Sequence, residues 1–466
     1  MSISKESSII IIGSGVFGLS TAYNLTNEGY KNITIYDKTD LYAISYLGGN
    51  TASADLNKVF RSFYGNEEHY HKLAIESRKI FEQWDKELQS PELDTEFVSK
   101  VSRLKIIDDS GLIRLNTEIT DHELKNLDTF SKSGLRHTQF ILDDEEDVAR
   151  GKGSGWEHKL NLFDVGKYKG VLDSTSGILY ASRACTYVQF ILRKRGVRFI
   201  TGGEQGQVKQ IIQTDDGVVK GIETEDGVKH YADLTILAAG PWSAKLLPEL
   251  TRLSEAQSGN VIHLKIPNVE GLQEKYSPKN FPILLWKVNP TDRSGIGIFP
   301  LTVPENIMKI IVMRPKFRNP TPVGNEGVHT PSIPLEDESR ITKVVISKVK
   351  EFISEFFPDL ISHGTKIFKT EVLWYTDAIN NNFIIDYVPS RKNLVVVTGG
   401  SGHGFKFLPN LGKFVVRLLE GHDVDGYLPI FKWRDPETFE DINGIRDSDR
   451  ILKQQEFATA EDLQLD

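Results

Sequence analysis

Three glycines and one acid form the first chemical pattern in this chain. Gly13, Gly15 and Gly18 stand in the spacing G-x-G-x-x-G directly after the apolar run Ile9–Ile12, and Asp37 lies 24 residues beyond Gly13. A first glycine permits a tight turn, a second lets a diphosphate approach the backbone, and a third lets a helix lie close on a strand. The helix N-terminus then presents N–H groups with no partner inside the helix. An acid ending the second strand is placed to accept hydrogen bonds from an adenosine ribose and repels a 2′-phosphate, which disfavours NADP. FAD and NAD both remain open on these residues alone.

A second group of reactive side chains is cationic. Lys58 and Arg61 are three residues apart, Lys309 alternates with apolar neighbours in Ile307–Val312, and His403 and Lys406 occupy a glycine-rich stretch. Each has a plain structural reading. Lys58 and Arg61 suit a solvated helix face, Lys309 a strand position pointing to water, and His403 a hydrogen-bonded turn residue. Cys185 sits on an apolar helix face and reads as inert core.

The elements that must position these residues follow from periodicity. Ile9–Ile12, a helix over Leu19–Asn27 and a strand over Ile33–Tyr36 make a βαβ unit. Helices are expected over 66–88, 182–195, 336–356 and 406–419, and a polar, strand-like segment after the first of these. Asp215-Asp216-Gly217 and Glu225-Asp226-Gly227 are hairpin turns, giving a small antiparallel meander that returns to a parallel strand, Leu234–Ala238. Further strands are expected at Val261–Ile266, Ile307–Val312 and Asn393–Thr398, with a turn at Asn380–Asn382 and a charged tail beyond Lys432 that wraps the surface or stays mobile.

Composition excludes several functions. At 466 residues the chain exceeds one core, and two domains are expected. The net charge is −8 and no dense Lys/Arg stripe exists, so neither nucleic acid nor an anionic membrane is an expected partner. With a single cysteine there is no internal disulfide, Cys-based zinc site or iron–sulfur cluster, and no metal is expected. No signal peptide, spanning segment or Ser-Lys-Leu ending is read, which makes the cytosol the expected location and a monomer the expected state.

Four strings decide between the cofactors. "SADLNKVFRSFYG" from Ser53, "LAAGPW" from Leu237, "LWYTDAINNNFIID" from Leu373 and "GGSGHGFKFLPNLGK" from Gly399 resemble, in this order, the flavin amine oxidases: the sarcosine, pipecolate, saccharopine and fructosyl amino acid oxidases. The resemblance covers nearly the whole chain apart from surface loops and the tail. It implies an α/β fold, with a discontinuous Rossmann-type FAD domain and a substrate domain on a mostly antiparallel sheet. The FAD domain is drawn as residues 1–85, 165–255 and 375–432, the substrate domain as 86–164 and 256–374, and the tail as 433–466.

Carried over by motif, Arg61 and Lys406 would hold a substrate carboxylate, Lys58 would lie close to the flavin ring, and Lys309 would sit over it to activate molecular oxygen. A bidentate Arg61 with a point-charge Lys406 suits a zwitterionic amino acid. A helix starting near Lys406 would turn its positive end toward the flavin. FAD contacts are assigned to Gly13, Gly15, Val16, Phe17, Gly18, Asp37 and Lys38. They continue through Ser53, Asn57, Lys58, Val208, Gly240 and Trp242 to Gly400, Gly402, Gly404, Phe405 and Lys406. Trp374 is assigned to packing near the cofactor.

One position departs from the pattern. The cysteine through which many such enzymes attach the flavin corresponds to Leu373, so FAD is expected without a covalent link. The activity implied is oxidation of the C–N bond of a secondary-amine amino acid with release of hydrogen peroxide. A fructosyl amino acid is the first substrate, and saccharopine, pipecolate or sarcosine types are the alternative. A flavin dehydrogenase with another acceptor, a non-enzymatic FAD sensor and an NAD dehydrogenase are the other classes. The last leaves the C-terminal glycine motif without a role.

Overall fold

The computed structural model describes residues 3–40, 50–90, 105–289, 294–302, 306–322, 330–335, 340–445 and 450–465. Four consecutive isoleucines form the strand Ile9–Ile12, buried throughout, and an unbroken apolar run is what a strand covered on both faces requires. It pairs in parallel with Ile33–Asp37 on one side and Leu234–Leu237 on the other. Arg198–Thr201 extends the sheet at one edge, and the hairpin Leu394–Thr398 with Ile384–Tyr387 extends it at the other, giving six strands. The helix Val16–Asn27 leaves the glycine turn and packs beside the helices Ala181–Lys194 and Lys413–Glu420.

The meander forms as the turn signals require. Val208–Gln213, Val219–Thr224 and Lys229–Tyr231 pair antiparallel, and Gly217 and Gly227 adopt φ of 77° and 81°, left-handed values that glycine reaches without a Cβ clash.

A second sheet of eight strands is antiparallel except where Ile283–Trp286 runs parallel to Leu112–Asn116. Its long members, Ser254–Lys265 and Lys366–Ala378, pair along their whole length, with Ile307–Val312 on the other side of the first. Lys169–Asp173 belongs to this sheet, four residues inside the segment drawn as FAD domain from 165.

Three expectations change. The helix drawn from 406 begins regularly only at Lys413. Phe405–Phe407 is a 3-10 turn, and Pro409, which has no N–H to donate, separates it from the helix. The helix dipole expected at Lys406 is therefore displaced along the chain. The helix drawn from 336 spans Lys343–Phe356 after an extended Thr342, with 336–339 outside the described residues. Lys58 and Arg61 are not on a helix, because Lys58–Phe60 is a short strand pairing with Gly177–Leu179. Most of the polar segment after Leu88, residues 91–104, lies outside the described residues.

The tail wraps. Arg434 donates to the carbonyls of Asn382 and Phe383, Leu452 is buried beside Trp374, and Lys343 donates its N–H to the Glu456 carbonyl. Among the described residues no helix is long and apolar enough to cross a membrane.

Candidate functional site

A cavity of about 450 Å³ lies between the glycine turn and one face of the eight-stranded sheet. Its size falls within the roughly 300–1,000 Å³ of small-molecule sites. The wall at the first end is built by the tight turn. Gly13 has φ of 108°, and a Cβ there would stand 2.3 Å from the Ala238 carbonyl oxygen. A Cβ on Gly18 would fall 1.9 Å from the Gly13 carbonyl oxygen, so this glycine lets helix meet strand and does not itself line the cavity. At Gly15, which lines the cavity with Val16 and Phe17, a Cβ would meet only the Ser53 hydroxyl, at 3.1 Å. That hydroxyl accepts the Val16 N–H at 3.0 Å and so holds the helix start to the opposite wall. The exposed backbone of Gly13 and Gly15 at a helix N-terminus suits a diphosphate.

Asp37 also lines the cavity, yet its carboxylate is already engaged. It accepts the Ser14 N–H at 2.6 Å, the Ser14 hydroxyl at 3.0 Å and the Thr39 N–H at 2.8 Å. Burial raises its pKa, and these bonds oppose the rise. Asp37 thus shapes the glycine turn as well as facing the cavity. Lys38 lies 3.9 Å from the ring centroid of Trp242, and Val208, Gly240 and Trp242 complete this end.

The two glycine motifs meet at Phe17. A Cβ on Gly400 or Gly404 would come within 3.2 Å or 3.1 Å of its ring, and only bare backbone allows that approach. Gly402 and Phe405 line the same wall.

On the sheet side, Lys309 is 1% exposed, and its ammonium lies 2.9 Å from the Asp55 carboxylate and bonds the Asn57 carbonyl. The reading of Lys309 as a solvent-facing strand residue is thereby excluded. Lys58 reaches the same carboxylate oxygen at 2.6 Å. Burial pushes Lys309 down to about 8 against the opposing pull of Asp55. For Asp55, burial acts upward, but Lys309 and Lys58 outweigh it and hold the carboxyl well below the usual range. One carboxylate between two ammoniums leaves a buried positive charge on this wall. Asn57 stays behind the wall, its amide facing Thr302 at 3.4 Å.

Arg61 and Lys406 come together on Tyr64. The guanidinium carbon lies 4.4 Å from the Tyr64 ring centroid, and the Lys406 ammonium donates to the Tyr64 hydroxyl at 2.8 Å. His403 fixes the direction of these bonds. Its Nε2 faces the Asn381 carbonyl at 3.0 Å and must donate, so in a neutral ring Nδ1 accepts from the Tyr64 hydroxyl at 3.2 Å, leaving the phenol oxygen to Lys406. His403 is an orienting residue with both ring nitrogens engaged. Phe63, Leu285 and Phe299 supply an apolar wall nearby.

Sequence reasoning missed Asp55, Tyr64 and His122, a cavity residue at the start of the helix Asp121–Lys132. Asp55 and Tyr64 stand inside the string that carried Lys58 and Arg61, and the i, i+3 spacing of Asp55 and Lys58 was the available signal. His122 carried none, because its segment is distant in sequence and shows no motif.

Leu373 lines the cavity, and its neighbour Trp374 points away into a separate cluster with Ala256 and Phe317. The chain's single cysteine, Cys185, is buried in the core of the dinucleotide-type sheet and does not line the cavity, and burial pushes its thiol up to about 12, with Lys58 opposing the rise.

The chain matches the FAD dependent oxidoreductase model over residues 8–418. It is 27% identical over 446 residues to the L-saccharopine oxidase of Schizosaccharomyces pombe, covering 93% of this chain and 94% of that protein. It is 22% identical over 441 residues to the monomeric sarcosine oxidase of a Bacillus species, covering 93% and 97%. A solved fructosyl peptide oxidase from E. terrenum matches with a TM-score of 0.76 at 24% identity, over 99% of this chain and 100% of that one, which is a likeness of fold. Because the family match spans both glycine motifs and the cavity they enclose, the chain belongs to the FAD dependent oxidoreductase family.

Proposed function

We propose that the protein is an oxidase of the C–N bond of a secondary-amine amino acid, with a fructosyl amino acid as its first substrate. The observation that carries the reading is the meeting of Arg61 and Lys406 on Tyr64 at the cavity wall. A planar guanidinium and a point-charge ammonium side by side suit a carboxylate in a cavity that also has apolar walls. Bound FAD would take a hydride from the amine-bearing carbon and pass the electrons to dioxygen. In this reading the residues of the chain hold and orient. Arg61 and Lys406 fix the carboxylate, Phe63, Leu285 and Phe299 exclude water from the reacting carbon, and Lys309 offers a buried positive charge to the anion that forms from dioxygen.

Gly13, Gly15, Asp37, Ser53, Val208 and Trp242 would hold the cofactor at one end of the cavity, with Lys309 and the loop Gly400–Lys406 at the other. We infer that it is held without a covalent link. Support comes from Leu373 on the cavity wall and from the one cysteine, which is buried and does not line the cavity. The domain division at 1–85, 165–255 and 375–432 against 86–164 and 256–374 is part of the same proposal, except that Lys169–Asp173 goes with the eight-stranded sheet.

A saccharopine-type substrate is the second reading, favoured by the 27% identity to an L-saccharopine oxidase over nearly the full chain. A peroxide assay with fructosyl-valine, fructosyl-lysine, saccharopine, pipecolate and sarcosine separates the two. If no amine yields peroxide while a dye is reduced, the oxidase reading fails in favour of a dehydrogenase.

A further inference from the structure

Behind Lys309 lies a group of buried polar atoms that no hydrogen bond among the described residues satisfies. His263 is fully buried, and among the described residues neither ring nitrogen has a hydrogen-bond partner. Asp55 Oδ1 and Asn57 Oδ1 are likewise buried and unsatisfied. Such groups in native proteins are ordinarily served by ordered water, since a buried polar atom left bare loses its hydration with nothing in return. Asp55 bonds the Lys309 ammonium through its other oxygen, and Asn57 bonds it through its backbone carbonyl.

The sheet lines these residues up. His263 is the cross-strand partner of Lys309 on one side and of Lys369 on the other, so the three side chains share a face. At this point the pairing slips: Lys369 opposes His263 but Ile367 opposes Leu264, which leaves Phe368 as the extra residue of a bulge. Glu371 Oε2 stands 3.4 Å from His263 Nδ1, and the other Glu371 oxygen accepts from Lys369. Lys369 is on the edge strand and is 27% exposed, so the row runs from the buried ammonium to solvent.

The charged groups around His263 are Asp55, Lys309, Lys369 and Glu371. Burial pushes the ring down to about 4, with Asp55 opposing and Lys309 and Lys369 adding to the fall. It is therefore neutral at physiological pH, with one N–H and one lone pair on different sides of the ring. Burial raises Glu371, and the Lys369 bond opposes that rise.

We propose that His263 and Glu371, with water held beside them, form the route by which Lys309 regains a proton from solvent while dioxygen is reduced. This rests on the oxidase reading above. The balance is simple: the reduced flavin gives dioxygen two electrons and one proton, Lys309 gives the second proton, and hydrogen peroxide leaves. Lys309 takes the replacement proton from water through this route in the same step, before hydrogen peroxide leaves, so a broken route slows that step itself. His263 and Glu371 touch neither cofactor nor substrate and act through Lys309 as positioning residues.

The test separates the two halves of the reaction. Holoenzyme reduced by dithionite is mixed with oxygenated buffer, or with ferricenium, which takes electrons without protons. His263→Leu and Glu371→Gln are expected to slow reoxidation by dioxygen roughly tenfold, below the roughly 10²–10⁴ of a direct acid. Their ferricenium rates should match that of the unchanged protein. Glu371→Gln keeps the side-chain size, so the test survives a His263→Leu chain that fails to fold. A crystal structure of the holoenzyme should show water bonded to a His263 ring nitrogen, lost in His263→Leu.

Flavin-loaded variants that react with dioxygen as fast as the unchanged protein overturn the route and leave the oxidase reading standing. A dry His263 does the same. If the unchanged protein itself meets dioxygen slowly and ferricenium fast, both readings fall.

Discussion

The ammonium of Lys309 lies 2.9 Å from the carboxylate of Asp55, a buried contact between residues 254 positions apart in the chain. It ties the eight-stranded sheet to the segment that also carries Lys58, Arg61 and Tyr64. The wall that holds the buried charge and the wall that carries Arg61 and Tyr64 are therefore placed by one short stretch of chain.

Removing Asp55 should show this in two measurements. Asp55→Asn leaves Lys309 and Lys58 facing each other without a counter-charge, and breaking a buried pair costs roughly 3–5 kcal/mol. Because the Asp55 pKa is held low in the folded protein, its stabilising contribution is present above the ordinary carboxylate pKa of about 4 and is lost on acidification below it. Thermal melts of the two proteins should differ near neutral pH and converge in acid.

Oxygen reactivity should have an alkaline limb. Lys309 is pushed down to about 8, so the ammonium is present below that pH and the rate falls as pH rises through it. Asp55 opposes that fall, so Asp55→Asn should move the limb to lower pH. A pH profile of reoxidation by dioxygen that is flat from 6 to 10 would argue against Lys309 as the group concerned, a window of roughly two units on either side.

Arg61→Ala should weaken substrate more than it weakens cofactor. A hydrogen bond to a charged group contributes about 1.5–3 kcal/mol, or roughly a 10- to 150-fold rise in KM. Tyr64→Phe should give a smaller rise, because it leaves both cations but removes the hydroxyl that receives Lys406. Steady-state peroxide formation, with flavin content as the control, reads both.

The glycines should separate folding from cofactor binding. Gly18→Ala places a methyl 1.9 Å from a backbone oxygen and is expected to yield little folded protein. Gly15→Ala meets a single hydroxyl at 3.1 Å and should fold while holding flavin more weakly, measured by flavin content after gel filtration.

Acid precipitation should leave a colourless pellet and a yellow supernatant, as expected when Leu373 stands on the cavity wall and the only thiol is buried and does not line it. Colour retained by the pellet would show a covalent link through some other residue.

The sequence alone determined the parts of this protein that rest on local pattern. Ile9–Ile12, the helix from the glycine turn and the strand Ile307–Val312 were legible because burial, periodicity and turn chemistry act over a few residues. Arg61 and Lys406 were singled out by the motif strings, and the structure brings both to Tyr64. Pro409 was just as visible, and the helix drawn across it shows a local rule passed over.

What only the tertiary structure decided is which side chains share a space. Asp55 beneath Lys309, Tyr64 between Arg61 and Lys406, and the unsatisfied His263 depend on strand register and on contacts between distant segments. A strand's alternation says that residues share a face, but only the pairing of strands says whether that face meets water, a partner charge or a cavity.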